Sequence, residues 1–423
     1  MKTTKKITPR SAALDSLIAV ERDGRYTNLE INSSLEKSPL SDADRGLYTR
    51  LVYGVTERRL TLDYIIAQYS AKAPSDLDSD VLTALRLGIY QLVYMDRIPD
   101  HAAVGETAGL VSGSKTGYVN AVLRSFLRGG KKYRMLDEKD RVKYLSVKHS
   151  VPEPLVKLFA ETVPDDELDE LLEAMNREPY VGLRVNTLKI TPAEAREKTG
   201  GEISPMAGDV VLTQSFDEAA REGVEAGLWF VQDTASRVTS MTLGALPGET
   251  IADTCACPGG KSFSIAIDMK NEGALYAFDL HKNKLSLIEK GAAKLGIGII
   301  KTEARDARKP KEELLGKADR VLCDAPCSGL GVLAKKPDIR YKDISDIERL
   351  PEIQLAVLEG AAAYVKDGGT LVYSTCTLNK HENEEVAEKF LASHPEFEAV
   401  SMRTFYPHRD RCDGFFCAKM RKR

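Results

Sequence analysis

The chain has 423 residues, of which 43% are hydrophobic and 29% are charged, which is typical of a globular protein with two or three cores. No apolar run approaches the roughly 20 residues of a membrane-spanning helix, and the polar N-terminal segment predicts no signal peptide. Seven cysteines without a secretion signal indicate reduced thiols and a cytoplasmic location.

The net charge of −3 argues against a nucleic-acid partner, but the charge is unevenly distributed. Residues 1–140 and 239–423 are slightly basic, and residues 141–238 are acidic. Arg124, Arg128 and Lys131 belong to a basic cluster that we interpret either as phosphate contacts or as a solvated helix end. A second basic run, residues 419–423, is interpreted as a frayed terminus or a further set of phosphate contacts.

Apolar side chains at steps of three and four predict an all-α bundle over residues 1–140. The clearest runs are Leu82, Leu85, Ile89 and Leu92, followed by Val119, Val122, Leu123 and Phe126. Gly129 and Gly130 are suited to end the last helix.

The rest of the chain predicts two further domains. Residues 141–238 mix helices with short strands near 181–187 and 228–232, which indicates a small α+β domain. Residues 239–423 alternate strands and helices, which predicts a Rossmann-like parallel α/β sheet. The candidate strands are 250–253, 274–279, 298–302, 320–323 and 370–374, and 353–365 is a helical run.

Two cysteines follow predicted buried strands of that sheet. Cys327 lies in Asp-Ala-Pro-Cys-Ser-Gly, which begins at Asp324, and Cys376 lies in Ser-Thr-Cys-Thr. Loops at the carboxyl ends of neighbouring strands share one crevice, where ligands bind. Two thiols and an aspartate at one sheet edge suggest covalent chemistry.

A glycine-containing loop after the first strand suggests the cofactor. It places backbone near a ligand at a helix N-terminus and comprises Cys255, Ala256, Cys257, Pro258, Gly259, Gly260 and Lys261. A phosphate-binding P-loop would need glycine where Cys255 stands, so an NTPase is disfavoured. Asp279 ends the next strand, where a carboxylate commonly binds ribose hydroxyls. We therefore expect a nucleoside cofactor without pyrophosphate, such as S-adenosylmethionine. No second cysteine or histidine pair has zinc spacing, so we expect no metal.

Several motifs also resemble known families. Leu47–Val55, Ile98–Glu106 and Tyr118–Arg124 are similar to the NusB family of RNA-binding helical domains. Asp253-x-Cys-Ala-Cys-Pro-Gly-Gly-Lys, Asp324-Ala-Pro-Cys-Ser-Gly, Pro337-Asp-Ile-Arg and Tyr373-Ser-Thr-Cys-Thr-Leu resemble successive motifs of RNA cytosine-5 methyltransferases of the Nol1/Nop2/Sun class. The combination is similar to bacterial small-subunit (16S) rRNA methyltransferases.

This resemblance implies roles for individual residues. Cys376 would be the nucleophile that adds to carbon 6 of cytosine, and Cys327 would resolve the adduct, helping to remove the proton on carbon 5. Asp324 would bind the cytosine edge, and Lys261 would orient the site and favour the thiolate.

The same resemblance implies binding residues. The cofactor pocket would include loop 255–261 with Asp279, Asp306 and Asp324, although a surface ion pair with Arg305 or Arg308 also explains Asp306. Predicted RNA contacts are Arg124, Arg128, Lys131 and Arg340. Four positions stay open between RNA-facing and structural roles: Arg184, Asn186, Gln232 and Asp233.

The expected activity is methyl transfer from S-adenosylmethionine to carbon 5 of a cytosine in 16S rRNA, or in a partly assembled small subunit, by a monomer. One alternative is the same chemistry on tRNA or large-subunit rRNA. Another is a non-catalytic RNA-binding assembly factor, although such a protein would have no chemical need for either cysteine.

Overall fold

Helices near the N-terminus and a mixed sheet near the C-terminus organise two separate units in the computed structural model, which describes residues 7–38 and 40–423. The helical unit comprises residues up to Ala160 together with Lys335–Tyr341, and the sheet unit comprises Glu161–Ala334 and Lys342–Arg423. Residues 1–6, which entered the prediction of no signal peptide, lie outside the described residues. Within the described ranges, no helix has the length and apolarity needed to cross a membrane.

The helical unit follows the apolar periodicity of its sequence. Its helices are α1 (Pro9–Asp23), α2 (Thr27–Lys37), α3 (Asp42–Glu57), α4 (Arg59–Tyr69), α5 (Ser79–Tyr94), α6 (Asp100–Ala108), α7 (Ser114–Arg128), α8 (Arg141–His149) and α9 (Glu153–Ala160). Thr8 caps α1 by accepting a hydrogen bond from Ser11 N, and Gly129 caps the end of α7. The predicted apolar stripes of α5 and α7 form the core, where Leu85 and Leu123 are fully buried.

A short segment from late in the sequence completes the helical unit. We call residues 335–341 the strap; its last five residues form a 3₁₀-helix, Pro337–Tyr341. Arg340 is 1% exposed and its Nη1 donates hydrogen bonds to Glu57 O at 2.9 Å and Ser150 O at 3.1 Å. This burial gives Arg340 a structural role in the helical unit and disfavours the prediction that its guanidinium contacts RNA phosphates.

The sheet unit begins with a helix and a small four-stranded antiparallel sheet. Its order is β2-β3-β1-β4. The elements are α10 (Asp165–Ala174), β1 (Val181–Val185), α11 (Pro192–Thr199), β2 (Glu202–Ile203), β3 (Val210–Thr213), α12 (Glu218–Glu225) and β4 (Trp229–Val231). Trp229 anchors this layer, because its buried indole donates a hydrogen bond to Ala220 O at 2.9 Å.

A seven-stranded sheet of order β10-β11-β9-β8-β5-β6-β7 follows. Its elements are α13 (Thr234–Leu243), β5 (Thr250–Asp253), α14 (Gly260–Asp268), β6 (Ala274–Asp279), α15 (Lys282–Leu295), β7 (Ile300–Ala304), β8 (Ala318–Asp324), α16 (Ile344–Glu348), α17 (Leu350–Ala362), β9 (Val365–Thr375), α18 (Glu384–Ser393), β10 (Phe397–Phe405), α19 (Pro407–Asp410) and β11 (Phe415–Lys422). Strands β5 to β9 run parallel, and β10 and β11 form an antiparallel edge. The predicted Rossmann-like sheet is confirmed.

The antiparallel edge differs from expectation. Residues 419–423 were interpreted as a frayed terminus or phosphate contacts, yet Lys419 and Arg421 belong to β11 and pair with Val372 and Thr370 of β9. Their backbones complete the sheet because the alternate residues of the same strand, Phe416, Ala418 and Met420, are buried in its core. Charge alone gave no sign of that pairing.

Candidate active site

The candidate site lies at the point where the order of the parallel strands reverses. Strand β5 is flanked by β6 on one side and by β8 on the other, so the chain turns from one half of the sheet to the other there. Asp253 ends β5, Asp279 ends β6, and Asp324 ends β8. Such a switch point opens a crevice at the carboxyl ends of the strands.

The structure brings Cys327 and Cys376 together at this edge. Their Sγ atoms are 3.2 Å apart, and Cys376 N lies 3.3 Å from Cys327 Sγ. Both residues are half-buried, and neither forms a disulfide. The hydrogen bond with Cys376 and burial raise the pKa of Cys327 well above its usual range. Cys327 is therefore a neutral thiol near pH 7, placed against the other sulfur.

Lys261 and Asp324 form the charged part of the site. Lys261 Nζ is 2.7 Å from Asp324 Oδ2, and Ser374 Oγ donates to Asp324 Oδ1 at 2.8 Å. Burial disfavours the charge on Lys261, but Asp324 outweighs it and raises the pKa of the lysine. The ammonium group also lies 4.7 Å from the ring centroid of Phe415, on β11. Lys261 is therefore a fixed cation, and negative charge on Cys376 interacts favourably with it.

The glycine-containing loop leads from β5 into α14. Gly259 precedes the helix with φ +112°, and a Cβ there would meet the Phe263 ring at 2.5 Å, so the position requires glycine. Asp253, 1% exposed, accepts a hydrogen bond from Ser262 Oγ at 2.6 Å, and its other carboxylate oxygen is buried with no partner. Burial, opposed by Ser262, raises the pKa of Asp253 to about 7. Such a polar cradle fits a ligand that carries hydrogen-bond donors.

The cysteines of this loop are unsuited to nucleophilic chemistry. Burial raises the pKa of Cys255 well above its usual range, and burial together with Asp279 raises that of Cys257 to about 12. Ala256 N between them donates to Phe278 O at 2.7 Å. Across residues 7–38 and 40–423, no group of three or more His, Cys, Asp or Glu could hold a metal ion.

Asp279 and Asp306, the two other aspartates predicted to bind the cofactor, have different hydrogen-bond partners. Asp279 Oδ1 accepts a hydrogen bond from His281 N at 2.9 Å in the turn after β6. Asp306 pairs with Arg308, whose Nη2 is 2.7 Å from Asp306 Oδ2, and this pairing lowers the pKa of Asp306. The ion-pair explanation of Asp306 therefore has geometric support, and its cofactor role stays a prediction.

Four positions left open by the sequence have structural contacts. Arg184 is 0% exposed and forms ion pairs with Asp209 and Asp268. Asn186 is also buried, and its Nδ2 donates to the carbonyl oxygens of Gly227 at 3.0 Å and Leu295 at 2.9 Å. Gln232 accepts from Ser264 Oγ, and Asp233 caps α13 through Ala235 N.

The remaining predicted RNA contacts lie in the helical unit. Arg124 and Arg128 are exposed on α7, and Arg124 donates to Asn120 of the same helix at 3.0 Å. Lys131 Nζ is 2.6 Å from Asp100 Oδ1, which offsets its charge. The two arginines are thus the stronger candidates for binding phosphates.

Comparisons with known proteins give matches to both units. Residues 240–421 match the family model for the 16S rRNA methyltransferase RsmB/F, and residues 7–128 match that for the NusB family. A probable ribosomal RNA small subunit methyltransferase B of Bacillus subtilis is 39% identical, with 99% of this chain and 100% of that protein covered. Ribosomal RNA small subunit methyltransferase B of Pseudomonas putida is 31% identical, with 98% of each covered.

Two solved structures have the same architecture. The crystal structure of PH0851 has a TM-score of 0.79 and 28% identity, covering 99% of this chain and 100% of that one. A methyltransferase homologue from Pyrococcus horikoshii has a TM-score of 0.59 and 26% identity, covering 66% of this chain and 98% of that one.

Proposed function

Because this chain belongs to the 16S rRNA methyltransferase RsmB/F family, we propose that it methylates carbon 5 of a cytosine in small-subunit rRNA through a covalent bond to Cys376. The observation that carries the chemistry is the 3.2 Å separation of the Cys327 and Cys376 sulfurs at the carboxyl edge of the sheet. A single nucleophile would need no second thiol at that distance.

The first step activates the base. Carbon 5 of cytosine is a weak nucleophile, so a thiolate must first add to carbon 6. Cys376 is favourably placed as that thiolate, because the cation of Lys261 stabilises its negative charge. As the S–C6 bond forms, the C5=C6 π electrons move into the ring and make carbon 5 an enamine-like nucleophile. Asp324 can accept a hydrogen bond from the exocyclic amino group and so orient the ring.

The second step releases the product. The hydrogen on methylated carbon 5 leaves as a proton, its electron pair re-forms the C5=C6 double bond, and the S–C6 bond breaks. Cys327 suits both proton transfers: its thiol gives a proton to the departing sulfur of Cys376 while it takes the one from carbon 5. This relay requires the two sulfurs to stay within hydrogen-bonding distance.

The methyl donor of this methyltransferase family is S-adenosylmethionine, which supplies an electrophilic methyl group when bound. The unpartnered oxygen of Asp253, the backbone of loop 255–261 and the carboxylate of Asp279 fit its amino group and ribose hydroxyls. Asp306 and Asp324 complete the proposed pocket.

The target base must be single-stranded or flipped out, because a stacked base could not reach two half-buried thiols. The NusB-family helices support an RNA substrate, and the full-length similarity to small-subunit enzymes supports 16S rRNA, free or in a partly assembled particle. The alternatives are tRNA or large-subunit rRNA as substrate, and a non-catalytic assembly role.

Methyl transfer from labelled S-adenosylmethionine to deproteinised small-subunit rRNA tests the proposal. We expect label at carbon 5 of cytosine with the wild type, none with Cys376→Ala, and a denaturation-resistant protein–RNA adduct with Cys327→Ala. Transfer to tRNA alone would keep the chemistry and change the substrate. No transfer to any RNA, with RNA binding intact, would favour the assembly role.

A further inference from the structure

A buried carboxylate joins the two loops that carry the thiols. Glu382 is 0% exposed, and its Oε2 accepts hydrogen bonds from Ser328 N at 2.8 Å and Gln354 Nε2 at 2.9 Å. Its Oε1 accepts from Asn379 Nδ2 at 3.0 Å. Ser328 follows Cys327 and Asn379 lies three residues after Cys376, so one side chain contacts both loops.

Further contacts make this junction rigid. Gln354 reaches from α17, and the same Nε2 that contacts Glu382 donates to Pro326 O at 3.0 Å. Ser328 Oγ and Thr377 Oγ1 are 2.8 Å apart, which links the two loops a second time. The residues on both sides of Cys327 are therefore held, one through Gln354 and the other through Glu382.

The side chain of Glu382 is a carboxyl group that is removed from water. Burying a carboxylate is unfavourable unless hydrogen bonds replace its hydration, and three N–H donors do so here. An amide side chain would turn its NH2 group towards at least one of these donors, because only one of its two polar atoms accepts hydrogen bonds. The three donors therefore favour a carboxyl group over an amide at this position.

We propose that Glu382 is a positioning residue that holds Cys327 against Cys376 and thereby controls how fast the covalent protein–RNA adduct is resolved. The inference rests on the proposed function, in which Cys376 forms that adduct and Cys327 resolves it. The negative charge of Glu382 also contributes to keeping Cys327 protonated, after the hydrogen bond with Cys376 and burial. That proton is the one the departing sulfur needs.

The test compares Glu382→Gln with Glu249→Gln. The control is a carboxylate of the same unit that is partly buried rather than fully buried. It pairs with Arg320 at 2.7 Å and directly precedes β5, whereas the thiol loops follow β8 and β9. Single-turnover reactions with rRNA and labelled S-adenosylmethionine give the adduct fraction. Steady-state reactions give kcat and the KM for RNA, and thermal melting gives stability.

For Glu382→Gln we expect adduct to accumulate severalfold over wild type and kcat to fall by about tenfold to a hundredfold. The KM for RNA should fall with kcat, because slow resolution of a covalent intermediate lowers both. Glu249→Gln should melt earlier without accumulating adduct. Equal behaviour of the two variants, with activity following only the folded fraction, would overturn the proposal. If Glu382→Gln does not fold, Gln354→Met removes one donor from the same junction, and it should accumulate adduct to a smaller extent; no accumulation there would equally overturn it.

Cys327→Ala separates this inference from the proposed function. Adduct with Cys327→Ala but none with Glu382→Gln would refute only the role of Glu382. No adduct and no methyl transfer with any variant or with the wild type would refute the proposed function itself.

Discussion

Burial sets the chemistry of single residues at the carboxyl edge of the seven-stranded sheet. Burial raises the pKa of Asp253, and the hydrogen bond with Cys376 together with burial raises the pKa of Cys327. Lys261 keeps its charge because Asp324 compensates for its burial. The edge thus contains both a neutral thiol, Cys327, and a fixed cation, Lys261. Each of these states follows from neighbours that are distant in sequence.

Asp253 should make stability depend on pH. Its pKa is about 7 in the folded protein against an ordinary 3.8, so its contribution is fully present below about pH 3.8 and is lost as pH rises towards 7. Without S-adenosylmethionine, Asp253→Asn should therefore gain stability relative to wild type by up to about 1.4 kcal/mol per pH unit in that window. Urea unfolding of both proteins at several pH values measures the difference. A constant difference across the window would contradict the assignment.

The sequence predicted the positions of those site residues that directly follow a strand. Cys327, Cys376 and Asp324 follow predicted strands, so their meeting at one edge could be expected from topology. No sequence pattern connects Glu382 to Ser328, which lies 54 residues earlier. The burial of Arg340 was equally unpredictable, because its partners are backbone carbonyls of distant helices.

Elements position the loops through close backbone contacts. Gly331, in the loop after Cys327, donates from its N–H to Cys376 O at 3.0 Å, and its own carbonyl accepts from Gly414 N at 2.8 Å. Gly414 directly precedes β11. The antiparallel edge strand, which the sequence did not reveal, is therefore connected to the thiol loops. Strands β5 and β6 were predicted with their observed bounds because their apolar runs end at aspartates.

Gly331→Ala should damage this contact. An added Cβ would lie 1.9 Å from Gly414 O and 2.9 Å from Cys376 O, so backbone must move. We expect a loss of about 1–3 kcal/mol in the free energy of unfolding and a fall in methyl transfer of about a hundredfold. Gly298→Ala is the matched control, because its Cβ would meet nothing within 4 Å. Unfolding and activity assays on both variants check this; equal effects would argue against a positioning role for Gly331.

For the whole molecule, the two compact units of the structure differ from the three consecutive domains that the sequence predicts. Boundaries near 140 and 238 stay a prediction. Spatial compactness gives two units, and each of them consists of two separate segments of the sequence. Periodicity and composition vary along the chain and so locate consecutive domains, but they carry no information about a seven-residue segment that returns to an earlier unit.

Charge on the helical unit should govern RNA affinity. Arg124 and Arg128 are exposed on α7, whereas Lys131 is paired with Asp100. Replacing both arginines with alanine should weaken binding to rRNA and lower the slope of log affinity against log salt by about 1.5. Lys131→Ala should change the slope less, and Lys37→Ala on α2 serves as the control. Measurements of RNA affinity at several salt concentrations test this prediction. An unchanged slope for the double variant would exclude phosphate contacts by the two arginines.

The strap limits the use of the catalytic part of this chain as a separate fragment or as a component of a fusion protein. A gene fragment that begins after Ala160 would still encode Lys335–Tyr341 but would lack Glu57 and Ser150, the residues whose carbonyls receive Arg340. Such a fragment would expose a cation and an apolar Ile339 that the intact protein buries. Grafting a different RNA-binding domain onto this enzyme therefore requires redesign of the strap as well as of the connection near Ala160. For the same reason, we expect the two parts to be inherited together.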